Sequence, residues 1–415
     1  KLYRLEINKS LTDITKLSTT YTTGDNIWLF LQYGTWIVAT NFQDNIQVLK
    51  GFTTANFIDL GGSPPKAKYL LFKNGHLILA NLNESGTLSP KKVLWSALEN
   101  IENFAESLTT GASSQDFPDA DGDITGLAPV GNSFGIFHKD SITIGWYSGA
   151  PFTFNFAVNK FKNIGALPNS VISIGDTAFF LNEKDAYALT QGGIESIGYG
   201  IKNTFRNSLN FSALHKIRAA HDPQNSLIFW LYQTSSSSTN PDRILCYNYR
   251  EKKWSHIDIS AFTIFLMHTG AVSWDDLDAT YPSTDAIPYS GDNSFWLSNA
   301  SIIGCLDTAD NRVATLSGTV LTGEIETGEA GSEDAIVLVK TIRPLIQNAI
   351  DAVNVQIGSR FDENDAVTYS SAAAVNSYGE ANIMQTGRYH RIKMQTGLHS
   401  GISSIKVDAK AVGKR

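Results

Sequence analysis

Cysteine is nearly missing from this chain. Cys246 and Cys305 are the two that 415 positions hold, and neither stands at a metal-ligand spacing, which excludes a disulfide framework and a cysteine-bound zinc site. Charge is scarce as well: 18% of residues are Asp, Glu, Lys or Arg, with a formal net charge of −7. That balance provides no broad basic surface to displace counterions from nucleic acid. No apolar run approaches the roughly 20 residues of a membrane-spanning helix, and no signal-peptide pattern opens the sequence, so no membrane anchor is expected. Phosphate-loop, HExxH and dinucleotide fingerprints are missing, and the eight histidines are scattered. Neither a cofactor nor an enzymatic activity is expected.

The chain is rich instead in short apolar runs divided by turn residues. Asn26–Phe42 reads as two strands about Tyr33-Gly34, and Tyr69–Leu82 repeats the form about Asn74-Gly75, a strong hairpin signal. Further turns fall at Gly131-Asn132, Lys139-Asp140, Gly175-Asp176, Glu183-Lys184, Gly192-Gly193, Asp222-Pro223 and Arg250-Glu251. Taking the first turn of each unit gives Gly34, Gly75, Gly131, Gly175, Asn225 and Asp292, spaced 41 to 67 residues apart. Units of several strands at such intervals predict an all-β chain, a divergent β-propeller of about five to seven blades. An irregular assembly of β-sandwiches would contain the same hairpins. Helices are few: Ser96 and Glu99 form a capping box that predicts one over Ser96–Leu108, and Tyr199–Ile217 has room for one or two more. Past Gly318 the texture changes to longer period-two alternation. Residues 1–317 therefore read as the propeller-like domain, and 318–415 as a C-terminal antiparallel β module, either a closing blade or a separate sandwich.

Several constellations invite a functional reading. Asp119, Asp121 and Asp123 alternate as calcium ligands do, but the EF-hand register fails: Gly122 falls at position four and Val130 at position twelve. The stretch reads better as a solvated loop between blades. "GNSFG" (Gly131–Gly135) spells a nucleophile elbow, yet the residues after it read as a strand hairpin and not the helix that motif requires. Ser290–Leu297 is similar to the Asp-box of sialidase-like propellers, present once and with Ser294 in place of its glycine. The eight tryptophans lie in or beside strands and read as packing anchors. Charge is segregated along the chain. Asp275–Asp334 holds twelve acids, among them Asp275, Asp276, Asp278, Glu324 and Glu326, against Arg312 as its one base. Arg388–Arg415 holds seven bases and one acid. Such patches suit a contact between subunits, the acidic one also a lumen wall or partner surface, and ordinary solvated faces would look the same.

The segment Lys91–Phe205 resembles the β-propeller tail hub or nozzle proteins of short-tailed bacteriophages, also called packaged-DNA stabilisation proteins. The resemblance lies in the Trp95-Ser96 strand end, the acidic loop leading to Gly126-Leu127, the "FHKDSI" hairpin (Phe137–Ile142), Gly165–Ser170 and "GGIESIG" (Gly192–Gly198). "GRYHRIKMQTG" (Gly387–Gly397) and the final strand (Gly401–Arg415) are similar to the same proteins' last strands. It implies a virion structural protein made in the host cytoplasm: a homo-hexameric ring below portal and adaptor, touching other tail proteins and passing double-stranded DNA without sequence preference. In that family the loop at Asp119–Asp123 is a variable polar connection, and no metal is implied. Arg388, Tyr389, His390 and Arg391 are the expected ring interface. An alternative of another class is a glycan-binding or glycan-cleaving propeller used for host attachment.

Overall fold

The computed structural model describes residues 1–6, 11–22, 28–51, 56–237, 239–268, 283, 286, 301–308, 310, 312–316, 323–347, 353–396 and 401–414. The chain divides into two compact units, Lys1–Leu316 and Ser317–Arg415. It is nearly all β. Among the described residues the helical elements are one α-helix (Lys202–Ser208) and one 3₁₀-helix (Phe211–Lys216).

In the first unit the strands form successive antiparallel sheets, each made of consecutive strands. The first sheet takes Leu29–Tyr33, Trp36–Thr40, Gln47–Lys50 and Ile58–Asp59. The second takes Lys66–Lys73, His76–Glu84, Thr87–Trp95 and Ser113–Asp116, and the third Ile124–Val130, Ser133–His138, Ser141–Tyr147 and Phe154–Lys162. The fourth takes Ile172–Ile174, Thr177–Leu181, Ala186–Thr190 and Gly193–Ser196, and the fifth Arg218–Asp222, Leu227–Tyr232, Arg243–Asn248 and Lys253–Asp258. A sixth has three described strands, Ala261–His268, Ser301–Asp307 and Val313–Thr315. The opening strand of each sheet lies against the opening strand of the next, from Leu29–Tyr33 through to Ala261–His268.

Sheets stacked in this way are covered on both faces, and the sequence shows why. His76–Glu84 begins with seven buried residues in a row. Leu77 and Leu79 point into the core shared with the first sheet, while Ile78 and Ala80 point into the core shared with the third. A strand with one solvated face would alternate; a strand with two packed faces reads as a continuous apolar run. Three further cores succeed these in order. Phe137, Ile142, Ala178 and Phe180 join the third sheet to the fourth. Phe179, Trp230 and Tyr247 join fourth to fifth, and Phe229, Cys246, Ile264 and Cys305 join fifth to sixth. The outer face of the first sheet is closed by the hairpin Tyr3–Leu5 and Leu11–Asp13, whose flanking Leu2 and Ile14 pack with Tyr21, Ala39, Leu49 and Phe57. Cys246 and Cys305 are free and buried, and burial pushes the Cys246 thiol up to about 12.

The helix anticipated at Ser96 does not form. The Ser96 hydroxyl accepts from Leu77 N–H at 3.0 Å, and Glu99 N–H donates to the Gly75 carbonyl at 2.8 Å. Both capping groups are consumed by the neighbouring hairpin, and the segment becomes a series of tight turns. The Tyr199–Ile217 expectation holds, with an α-helix and a 3₁₀-helix in succession. "GNSFG" is a hairpin: Gly131-Asn132 turns between Ile124–Val130 and Ser133–His138.

The second unit is two antiparallel sheets enclosing one core. One sheet has Val353–Arg360 and Tyr389–Thr396 at its centre, with Gly323–Glu326, Ala330–Gly331, Thr368–Tyr369 and Ala373–Ala374 beside them. The other orders Ala381–Gly387, Ala335–Gln347 and Gly401–Lys414. Val339, Ile342 and Ile383 from the second sheet meet Val353, Val355, Ile357 and Met394 from the first.

Candidate functional site

The aspartate loop joins the last strand of the second sheet to the first strand of the third, and six consecutive carbonyls along it are spoken for. Lys91 Nζ donates to the carbonyls of Pro118 (3.2 Å) and Ala120 (2.8 Å), and Asn159 Nδ2 donates to Asp119 (2.7 Å). The backbone N–H groups of Asp140 and Lys139 donate to Asp121 and Asp123, each at 3.0 Å. The Gly122 carbonyl accepts from His138 Nδ1 at 3.2 Å. Gly122 sits at φ +93°, and a Cβ there would come within 2.7 Å of Lys139. Calcium takes carbonyl and carboxylate oxygens together. Here the carbonyls face inward to protein donors, while Asp119, Asp121 and Asp123 are exposed. Among the described residues no three His, Cys, Asp or Glu side chains converge to hold a metal ion. The loop acts as a clasp on the Phe137–Ile142 hairpin.

His138 is the centre of that clasp. A carbonyl can only accept, so Nδ1 carries the proton, and Nε2 accepts from Thr143 Oγ1 at 3.2 Å. Thr143 Oγ1 in turn accepts from Asn159 N–H at 3.3 Å. The ring is fully buried, and burial drives its pKa from 6.5 to about 4, against a smaller upward pull from the Gly122 bond. Between those values the unfolded chain holds the extra proton and the folded chain does not, so stability is lost as pH falls from 6.5 toward 4. The loss is about 1.4 kcal/mol per pH unit, or about 3 kcal/mol over the window. Urea midpoints measured from pH 7 to pH 4 should show this slope, and His138→Asn, which keeps a donor for Gly122, should flatten it. An unchanged slope in the variant would assign the effect elsewhere.

Beside the clasp lies a pocket of about 310 Å³ at the ends of the second, third and fourth sheets. Lys68, Asn81, Thr125 and Leu167 line it, along with the exposed charges Asp123, Lys139, Asp140 and Lys184. Burial lowers the pKa of Lys68, which Asp123 partly offsets. The nearby Arg218 is 6% exposed; its Nη1 donates to the His215 carbonyl at 2.8 Å, and burial lowers its pKa to about 10. The group has no nucleophile–base pair and no converging carboxylates, and its chemistry is that of a polar junction between sheets.

In the second unit the charge segregated along the sequence is brought together in space. Gly323–Glu326 pairs with Tyr389–Thr396. Lys393 Nζ meets Glu324 at 2.5 Å, and Gln395 Nε2 donates to the same carboxylate at 3.0 Å. Tyr369 Oη donates to Glu326 at 2.6 Å, with Arg391 at 3.6 Å. Arg360 grips Glu329 through Nε (2.7 Å) and Nη2 (2.5 Å), holding that carboxyl below its ordinary range. Of the anticipated interface, Tyr389 is buried under the Arg360 guanidinium and His390 Nε2 bonds to main-chain carbonyls of Val337 and Gly387. Arg391 faces Glu326 and Glu329, and Arg388 donates its N–H to Arg360 O. All four residues bond within their own unit. Asp275, Asp276 and Asp278, together with the Asp-box stretch Ser290–Leu297, Trp274 and Trp296, lie outside the described residues.

Of the stretches that carried the phage-tail resemblance, the acidic loop and Gly165–Ser170 join one sheet to the next, and the others lie in or beside strands. Trp95 ends a strand and donates its Nε1–H to Gly111 O at 2.8 Å, and Ser96 is fully buried against Leu77. Gly165–Ser170 is the crossing from the third sheet to the fourth, and Gly192–Gly198 includes the fourth sheet's last strand. Lys68 carries no motif, and His138 enters the sequence reading only as part of the "FHKDSI" hairpin; a lone histidine or lysine in a strand gives no sign of what will bury it. No protein-family model matches the chain, and no curated protein matches it. Among the described residues no helix is long and apolar enough to cross a membrane.

Proposed function

We propose that the chain is a structural component of a bacteriophage tail, a propeller of six sheets carrying a C-terminal β-sandwich, which assembles as a ring below the portal and adaptor. The carrying observation is that two of the stretches resembling tail hub proteins, the acidic loop and Gly165–Ser170, join one sheet to the next, while the others are strands and turns of the sheets themselves, so the likeness concerns how the chain is built. The succession of opening strands, each beside the next, is what a propeller's inner wall requires. In this reading a hexamer closes by heterologous contacts. The net negative charge lets DNA pass without adhering, because a negative wall repels phosphate.

Immunogold microscopy of phage particles with antibody to this chain tests the reading. Label at the head–tail junction or along the tail tube is expected. Label confined to fibre tips, or particles without label, would overturn it. Saturable binding on a glycan array would then favour the attachment alternative.

A further inference from the structure

The strand Gly401–Lys414 is the longest described strand and lies at the edge of its sheet, hydrogen-bonded on one side to Ala335–Gln347. Among the described residues nothing pairs its other side. Its side chains from Ser403 to Val412 are exposed except Ile405, and Val407 and Val412 are 44% and 51% exposed. An edge this long presents a row of unpaired main-chain donors and acceptors, which proteins normally cover or blunt. Lys406, Asp408 and Lys410 make no ion pair among the described residues, and Lys406 stands opposite Arg343, a like charge already paired with Glu380.

We propose that this edge is closed by a second copy of the same strand, antiparallel and centred on Val407, so that Lys406 of each copy faces Asp408 of the other. The stretch Ser404–Ala411 reads S-I-K-V-D-A-K-A. About Val407, Ile405 meets Ala409, Ser404 meets Lys410, and two Lys–Asp pairs form across the twofold axis. Opposite charges directly across an antiparallel pair stabilise it and like charges do the reverse. A centre on Asp408 would set Asp408 against itself and Lys406 against Lys410, and a centre on Lys406 would set two ammonium groups together. Parallel in-register pairing places every charge on its own kind. A twofold axis perpendicular to the sheet admits no half-step between these centres, since each face must continue across the junction. A centre on Ala409 would also set Asp408 against Lys410, but it carries Lys406 onto Val412, where the strand's own register shifts, and leaves five regular positions (407–411) instead of seven (404–410). Charge and regularity together select Val407.

The proposal does not rest on the tail reading; it concerns the free chain and can be tested whatever the chain's place in a particle. Sedimentation velocity on the full chain over a concentration series is expected to show a reversible dimer. Lys406→Asp or Asp408→Lys alone should raise its dissociation constant at least about tenfold. The double exchange K406D/D408K restores both pairs and should restore dimerisation. Both positions are exposed, so the fold should tolerate each change, and circular dichroism of every variant checks that it does. A wild-type chain that stays monomeric overturns the proposal. So does association that the single reversals leave unchanged, or that the double exchange does not rescue.

Discussion

Replacing Trp230 with alanine is expected to cost about 3–5 kcal/mol of stability, the range for emptying a buried aromatic site. The side chain is fully buried in the core between the fourth and fifth sheets, stacked on Trp254 at 5.8 Å. Its Nε1–H donates to the Ser170 carbonyl at 2.7 Å, tying the fifth sheet to the crossing that leads into the fourth. Truncation removes the packing and leaves a buried carbonyl unpaired, and the two losses reinforce each other. Trp230→Phe keeps a ring but not the donor, and should cost about 1–3 kcal/mol. Urea denaturation monitored by circular dichroism distinguishes the two. A loss below about 1 kcal/mol for the alanine variant would show that the two sheets hold together without this anchor.

The second large effect is expected at Gly165. A Cβ there would lie 2.2 Å from the Lys139 carbonyl oxygen and 2.3 Å from that of His138. Both obstacles are main chain, pinned by the clasp: Ala166 N–H donates to His138 O at 3.0 Å, and Lys139 N–H donates to Asp123 O. No rotamer change relieves the contact, so the crossing must move. Gly165→Ala should lose several kcal/mol, with about 3 as a floor, or fail to yield folded protein. Gly328→Ala serves as the control, since nothing lies within 4 Å of its Cβ position and its backbone is unstrained. It should stay within about 0.5 kcal/mol of wild type. Equal stability of the two variants would mean that the third and fourth sheets are not packed as closely as described.

Much of the first unit is legible in local chemistry because its pairings are local. Gly34, Gly75, Gly131 and Gly175 all sit at positive φ in short turns between strands that adjoin in sequence. Each such hairpin announces itself within about fifteen residues. The second unit is harder because its pairings are not local. Glu324 and Lys393 are far apart in the chain, and only the pairing of Gly323–Glu326 with Tyr389–Thr396 brings them together. Patches that suggest an intermolecular attraction are, at those residues, largely an intramolecular one. The false helix at Ser96 has the same origin. Its capping signal is genuine, but Leu77 and Gly75 compete for the same groups from outside the segment. The aspartate loop shows what composition omits: its carboxylates are visible in sequence, whereas the inward turn of its carbonyls depends on Lys91, His138 and Asn159.

The order of the sheets along the chain also fixes a timetable for synthesis. A nascent chain leaving the ribosome can zip each meander as soon as its last strand emerges, because the described pairings in the first unit are to neighbours in sequence. Short-range closure of this kind is fast. Each sheet nevertheless waits with one greasy face bare until its successor appears. Translation therefore proceeds through a succession of half-finished states, the most vulnerable being those paused after His76–Glu84 or Leu227–Tyr232, whose strands are buried on both sides. Premature stops at the sheet boundaries would leave products differing by one layer, each ending in an adhesive surface and each a natural client for chaperones.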